Sequence, residues 1–201
     1  MSETVSERAS RPGARPEQPL ADGRARRDDS AGPAAVIVGP PGAGKSTIGA
    51  LLAERLGLSF RDVDADIVAA TGRTIADIFT VDGEPVFRAL EEQHVAAALG
   101  EHTGVLALGG GSILAERTRA LLAGHPVVFL NIGLAEGVKR TGLSTARPLL
   151  AGVNPRATFK ALLDARLPLY REVAVLEVSA DERTPADIVE DIVAGLTAAT
   201  K

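Results

Sequence analysis

The residues Gly39, Pro40, Pro41, Gly42, Ala43, Gly44, Lys45, Ser46 and Thr47 stand directly behind an apolar run at 34–38. Their pattern, G-x-x-x-x-G-K-[ST] between a buried strand and a helix, is that of a phosphate-binding loop. Glycines let the chain curl so that successive backbone N–H groups point at phosphate oxygens, and the start of the following helix adds positive polarity. Lys45 is placed to reach the β- and γ-oxygens of a nucleoside triphosphate, and the Ser46 hydroxyl to sit on Mg²⁺. Gly42, Ala43, Gly44, Lys45, Ser46 and Thr47 are therefore the candidate nucleotide site. By itself the loop fits ATPases, GTPases and kinases alike.

Other residue groups suggest a phosphate acceptor. The segment Arg61-Asp62-Val63-Asp64-Ala65-Asp66 ends a short strand pattern, and alternation along a strand would set Asp62 and Asp64 on one face beside the loop. One carboxylate could hold the waters of Mg²⁺ while the other meets a substrate hydroxyl. The plainer alternative is an acidic turn whose Asp caps the next helix. Further on, Gly109, Gly110 and Gly111 follow the apolar Leu108, either because backbone must approach something closely or as a loose turn. No Asp ends that strand, which leaves Asp62 as the candidate to replace the usual magnesium aspartate. Arg88 falls in a helical pattern, and Arg140, Arg147 and Arg166 surround the weakly periodic stretch 141–154, which reads as a lid. Arginine forks neutralise a transferring phosphoryl group and grip carboxylates, as a small acidic substrate would require.

These residues need elements to hold them. Strand patterns occur at 34–38, 59–63, 104–108, 127–132 and 176–179, each apolar on both faces as in a buried parallel strand. Helical patterns lie between them at 46–56, 66–71, 74–79, 84–99, 115–123, 134–140, 155–172 and 185–198, the last opening on Thr184 and Pro185. The alternation predicts a three-layer α/β/α sandwich around a parallel sheet, with ligands at the carboxyl ends of strands. All the candidate residues fall at or near such ends.

The 201 residues carry a net charge of −4, which gives no electrostatic reason to expect nucleic acid or an anionic membrane. No apolar run is long enough to cross a bilayer. The absence of cysteine excludes disulfides, thiol chemistry and Cys-zinc centres, and it accords with a cytoplasmic setting. Residues 1–33 have almost no large apolar side chains and are expected to form a disordered tail before a folded domain at 34–201. Glu3, Glu7, Glu17, Asp22, Asp28 and Asp29 argue against a transit peptide there. His94, His102 and His125 lack metal-ligand spacing and receive no role.

From residue 34 to about 194 the chain resembles the shikimate kinase family. The resemblance rests on Asp62-x-Asp64, the run Thr71-Gly72-Arg73-Thr74-Ile75-Ala76-Asp77-Ile78-Phe79, and Gly83-Glu84-x-x-Phe87-Arg88-x-x-Glu91. It continues through Gly109-Gly110-Gly111, Arg147-Pro148-Leu149-Leu150 and Arg166-x-Pro168-x-Tyr170, in that order. It implies a P-loop kinase fold of the nucleoside monophosphate kinase type, with sheet order 2-3-1-4-5, a substrate region near 63–91 and a lid. The implied reaction is ATP-dependent phosphorylation of the 3-hydroxyl of shikimate, in aromatic amino-acid biosynthesis, by a monomer.

The same resemblance implies roles for individual residues. Asp64 would hold the shikimate hydroxyls and assist deprotonation; Arg88 and Arg166 would clamp the carboxylate; Gly109, Gly110 and Gly111 would line the pocket, with the Gly110 N–H on substrate. Ser46 would bind Mg²⁺ directly and Asp62 through water. Arg147 would meet the ATP phosphates beside Lys45, and Arg140, Arg183 and Pro185 would flank the adenine. One position departs from the family: Val68 stands where a glutamate is common, so the acid that orients Arg88 is expected to be Asp66 or Glu91. The rival readings are a kinase of another small hydroxy acid such as gluconate, and a catalytically silent nucleotide-binding module.

Overall fold

The computed structural model describes residues 32–142 and 154–199. The chain runs β1 (Ala35–Val38), α1 (Lys45–Leu56), β2 (Phe60–Asp62), α2 (Val63–Thr71), α3 (Ile75–Val81) and α4 (Glu84–Glu101). It continues through β3 (Val105–Ala107), a 3-10 turn (Ser112–Leu114), α5 (Glu116–Leu122), β4 (Val127–Asn131), α6 (Leu134–Gly142), α7 (Pro155–Val173), β5 (Leu176–Ser179) and α8 (Pro185–Ala199). All strands pair in parallel in the order β2-β3-β1-β4-β5. This is the predicted sheet. Its order reverses direction at β1, and ligands bind open parallel sheets where the order reverses.

Alternation within the strands builds a core on each face of the sheet. Ala35 and Ile37 of β1 join Leu52 of α1 and Ile188 and Ile192 of α8 on one side. Val36 and Val38 join Ile67 of α2, Phe87 and Val95 of α4, and Tyr170 of α7 on the other. With two faces covered, β1 is wholly apolar and β4 is apolar up to its last residue, Asn131, as the sequence patterns indicate. The edge strands are not. β2 is Phe-Arg-Asp and half-buried throughout, and β5 buries only Val178 fully. An edge strand has a neighbour on one side alone, so its polar side chains keep access to water.

Several boundaries differ from the sequence patterns for local reasons. α2 begins at Val63, because the Asp62 carboxylate accepts the Asp64 and Ala65 N–H groups and starts the helix there. α3 opens with a capping box between Thr74 and Asp77. α6 continues through Gly142 and Asn154 caps α7, so residues 141, 142 and 154 of the stretch read as a lid belong to helices or their caps. Residues 143–153, with Arg147, lie outside the described residues, as does the segment 1–31. α7 carries Pro168 in its interior, which donates no N–H to the turn before it.

Central-strand packing sets the position of the phosphate loop. Ile37 of β1 is fully buried two residues before that loop. Ile37→Ala is expected to lower unfolding free energy by about 2–5 kcal/mol, measured by urea denaturation. A loss below about 1 kcal/mol would mean the β1 layer is not the tightly packed core described.

Candidate active site

The loop after β1 turns into α1 at Gly44, whose φ of 90° is the left-handed conformation that glycine tolerates best. Gly44 supplies no side-chain cap, and the first turn of α1 has no acidic residue. The helix therefore presents its N–H groups to an outside anion. Lys45 Nζ donates to the Pro40 carbonyl at 3.2 Å, which folds the ammonium back over the loop. A cavity of about 320 Å³ opens here, lined by Gly42, Gly44, Lys45, Ser46, Thr47, Asp62, Asp64, Leu108 and Arg140.

The acidic pair reaches this cavity by a route other than strand alternation. β2 ends at Asp62, and Asp64 lies in the first turn of α2. Asp62 is the helix cap of the plainer reading, yet its second oxygen also accepts the Ser46 hydroxyl at 2.5 Å. One side chain thus fixes α2 and faces α1. Ser46 and Asp62 offer adjacent oxygen donors, the hard set that suits Mg²⁺.

Beside this cavity the glycine run explains itself. An idealised Cβ on Gly109 would lie 2.7 Å from Asp64 Oδ1, and one on Gly111 would meet the Arg88 guanidinium. The backbone has no side chains here because Asp64, Glu91 and Arg88 occupy that space. On the opposite side, the Gly110 carbonyl accepts Arg166 Nη1 at 3.0 Å and the Tyr170 hydroxyl at 2.6 Å. Two candidate clamp arginines therefore flank one glycine segment.

Arg88 is held as a cation. Its Nη1 donates to Glu91 Oε2 at 2.5 Å, and its Nε and Nη2 reach Glu84 Oε1 at 3.2 and 3.0 Å. Phe87 and Phe79 lie beneath the guanidinium, with ring centres at 5.3 and 5.8 Å. Burial works to lower the Arg88 pKa, but the neighbouring Glu91 and Glu84 outweigh it and leave it raised. Of the two acids proposed to orient Arg88, Glu91 does so, whereas Asp66 pairs with Arg61 at 2.6 Å.

At the other end of the cavity, Arg140 joins three elements. It pairs with Glu136 at 2.7 Å and donates to the carbonyls of Gly42 and Ala180. Its contact with Glu136 holds that carboxyl below its ordinary range. The Ala180 side belongs to the β5–α8 loop, which Asp181 ties to α6 by accepting the Gly133 N–H at 2.9 Å. Pro185 is the first residue of α8, and Arg183 is turned along that helix to Asp191 and the Asp187 carbonyl.

Sequence reasoning gave no separate role to Ser112, Tyr170, Glu136 or Asp181. Tyr170 carried a signal, since it stands one helical turn from Arg166 and so shares its face. It stacks on Phe129 with ring centres 4.9 Å apart. Burial raises its phenol well above the usual range, which keeps it a hydrogen-bond donor. Glu136 carried the same signal, one turn before Arg140 on α6, whereas Ser112 and Asp181 act across elements and carried no comparable pattern.

Gly111→Ala tests why the glycine run exists. A crystal structure of the variant is expected to show Arg88 displaced from Glu91. An undisturbed pair would mean that the missing side chain is not what admits the arginine.

Comparison with known proteins agrees with this arrangement. The family model for shikimate kinase matches residues 41–197. A shikimate kinase of Saccharopolyspora erythraea is 72% identical over 166 residues, 83% of this chain and 95% of that protein. One from Streptomyces avermitilis is 59% identical over 164 residues, 82% of this chain and 95% of that protein. Among solved structures, the shikimate kinase from Acinetobacter baumannii in complex with shikimate superposes with a TM-score of 0.80 at 37% identity, covering 86% of this chain and 96% of that one. Loop, sheet order and sequence together lead to one assignment: the chain belongs to the shikimate kinase family.

Proposed function

We propose that this protein transfers the γ-phosphate of ATP to the 3-hydroxyl of shikimate, giving shikimate 3-phosphate and ADP. The observation that carries the reading is that Asp64 lines the same cavity as Lys45, Ser46 and Thr47. Donor and acceptor groups thus share one space, as direct phosphoryl transfer requires.

In this reading the N–H groups of Gly42, Ala43, Gly44, Lys45, Ser46 and Thr47 cradle the nucleotide phosphates. Lys45 leaves the Pro40 carbonyl for the γ-phosphate oxygens. Shikimate has one carboxylate and several hydroxyls, and Arg88 and Arg166 take the carboxylate from either side of Gly109, Gly110 and Gly111. Asp64 orients the 3-hydroxyl and receives its proton. The hydroxyl oxygen bonds to the γ-phosphorus as the bond to the β–γ bridging oxygen breaks, and ADP departs with that electron pair. Arg140, Arg183 and Pro185 flank the adenine, and Arg147 meets the phosphates from the segment after α6.

Ser46 and Asp62 would hold Mg²⁺, Asp62 through water; when bound, the ion offsets the charge of the phosphates. Turnover is expected to cease on chelation with EDTA and to return with Mg²⁺. Asp62→Ala should raise the Mg²⁺ concentration needed for half-maximal rate, and an unchanged requirement would remove Asp62 from the metal site. A monomer and a cytoplasmic setting complete the proposal, since ATP and the charged substrate are both found there. Among the described residues no helix is long and apolar enough to cross a membrane.

A coupled assay for ADP release, with shikimate, with gluconate and with no acceptor, tests the reaction. Turnover with shikimate alone is expected; equal rates with gluconate, or none with either, would reject the reading. Arg88→Ala and Arg166→Ala should each raise the shikimate KM by about 100-fold with little change in the ATP KM. Lys45→Ala should abolish turnover.

A further inference from the structure

The clamp arginine has two carboxylates within reach, and which one holds it decides where its guanidinium points. Glu84 lies at the surface with its side chain 45% exposed, whereas Glu91 is 2% exposed. An exposed ion pair is weak and mobile. The buried one can fix Arg88 only if its own carboxylate is fixed.

Ser112 meets that requirement. Its hydroxyl donates to Glu91 Oε1 at 2.6 Å, while Glu91 Oε2 accepts Arg88 Nη1 at 2.5 Å. Ser112 is 2% exposed, starts the 3-10 turn after the glycine run, and donates its backbone N–H to the Gly109 carbonyl at 3.1 Å. The turn that shapes the glycine segment therefore also aims the hydroxyl at Glu91. Asp66, the other acid considered for Arg88, is engaged by Arg61.

We propose that Ser112 is a positioning residue for the acceptor: by holding Glu91 it sets the direction of the Arg88 guanidinium, and hence the affinity for the substrate carboxylate. This rests on the reading of Arg88 as a carboxylate clamp. Without the hydroxyl, Glu91 Oε1 loses a donor inside a buried setting and the carboxylate turns to find another. Arg88 then follows Glu91 or moves out to Glu84. The nucleotide end is separate, because Ser112 does not line the cavity formed by Lys45, Ser46 and Asp62.

The experiment compares the intact protein with Ser112→Ala, Ser112→Thr and Arg88→Ala, by calorimetric titration with shikimate and by steady-state kinetics. Ser112→Ala is expected to weaken shikimate binding about tenfold. Its kcat and ATP KM should stay within about twofold of the parent, and Ser112→Thr, which keeps the hydroxyl, should recover most of the lost affinity. Unchanged shikimate affinity in Ser112→Ala, with a large loss in Arg88→Ala, would overturn the proposal alone. Equal losses for shikimate and ATP in Ser112→Ala would also overturn it, since they would indicate a general structural role. Unchanged affinity in Arg88→Ala would overturn both the proposal and the clamp reading beneath it.

Discussion

Glu91 and Arg88 are drawn inward together, the Glu91 carboxylate accepting the Arg88 Nη1 at 2.5 Å with Glu91 only 2% exposed. Removing a carboxylate and a guanidinium from water costs several kcal/mol per ion unless each finds close, well-directed partners. The fold supplies these partners. Arg88 lies over Phe79 and Phe87, Glu91 is tied to Ser112, and the glycine run withdraws its side chains to make room. Gly109 and Gly111 stand where they do because that ion pair and Asp64 fill the volume a Cβ would need. The glycine run is thus shaped around one inward-facing salt bridge.

The opposite side of that run follows a related rule with neutral partners. Arg166 and Tyr170 converge on a single carbonyl, Gly110, and Tyr170 is anchored by stacking on Phe129 of β4. β4 pairs directly with β1, whose end begins the phosphate loop. The Gly110 contacts and the phosphate loop are therefore joined through two adjacent central strands. Catalysis by proximity requires this kind of rigid linkage, since small displacements between reacting groups cost rate steeply.

Asp62 shows how one side chain can serve both fold and site. As the cap of α2 it satisfies helix N–H groups, and as the partner of Ser46 it brings β2 against α1. Many phosphate-loop enzymes hold magnesium with an aspartate. Here β3 runs into Leu108 and the glycine run, and the carboxylate that accepts the Ser46 hydroxyl stands at the end of β2 next door.

Much of this was written in the sequence. The phosphate loop pattern, the strand–helix alternation and the burial of β1 and β4 followed from residue types at fixed spacing, because local backbone chemistry dictates them, whereas Arg88 and Arg166 drew attention through their company and the family resemblance. The geometry of Asp62 and Asp64 did not follow from spacing. Alternation along a strand would align them, but a cap ended the strand and placed Asp64 on a helix. Glu91 stands three residues beyond Arg88 on α4, a helical spacing that favours it over Asp66 as the partner, but spacing could not reveal Ser112 behind Glu91. That contact joins α4 to the turn after β3, and hydrogen bonds between segments distant in the chain leave no periodic mark. Short-range propensity and motif chemistry determined which groups are present; only the packing of the elements decided which charge meets which.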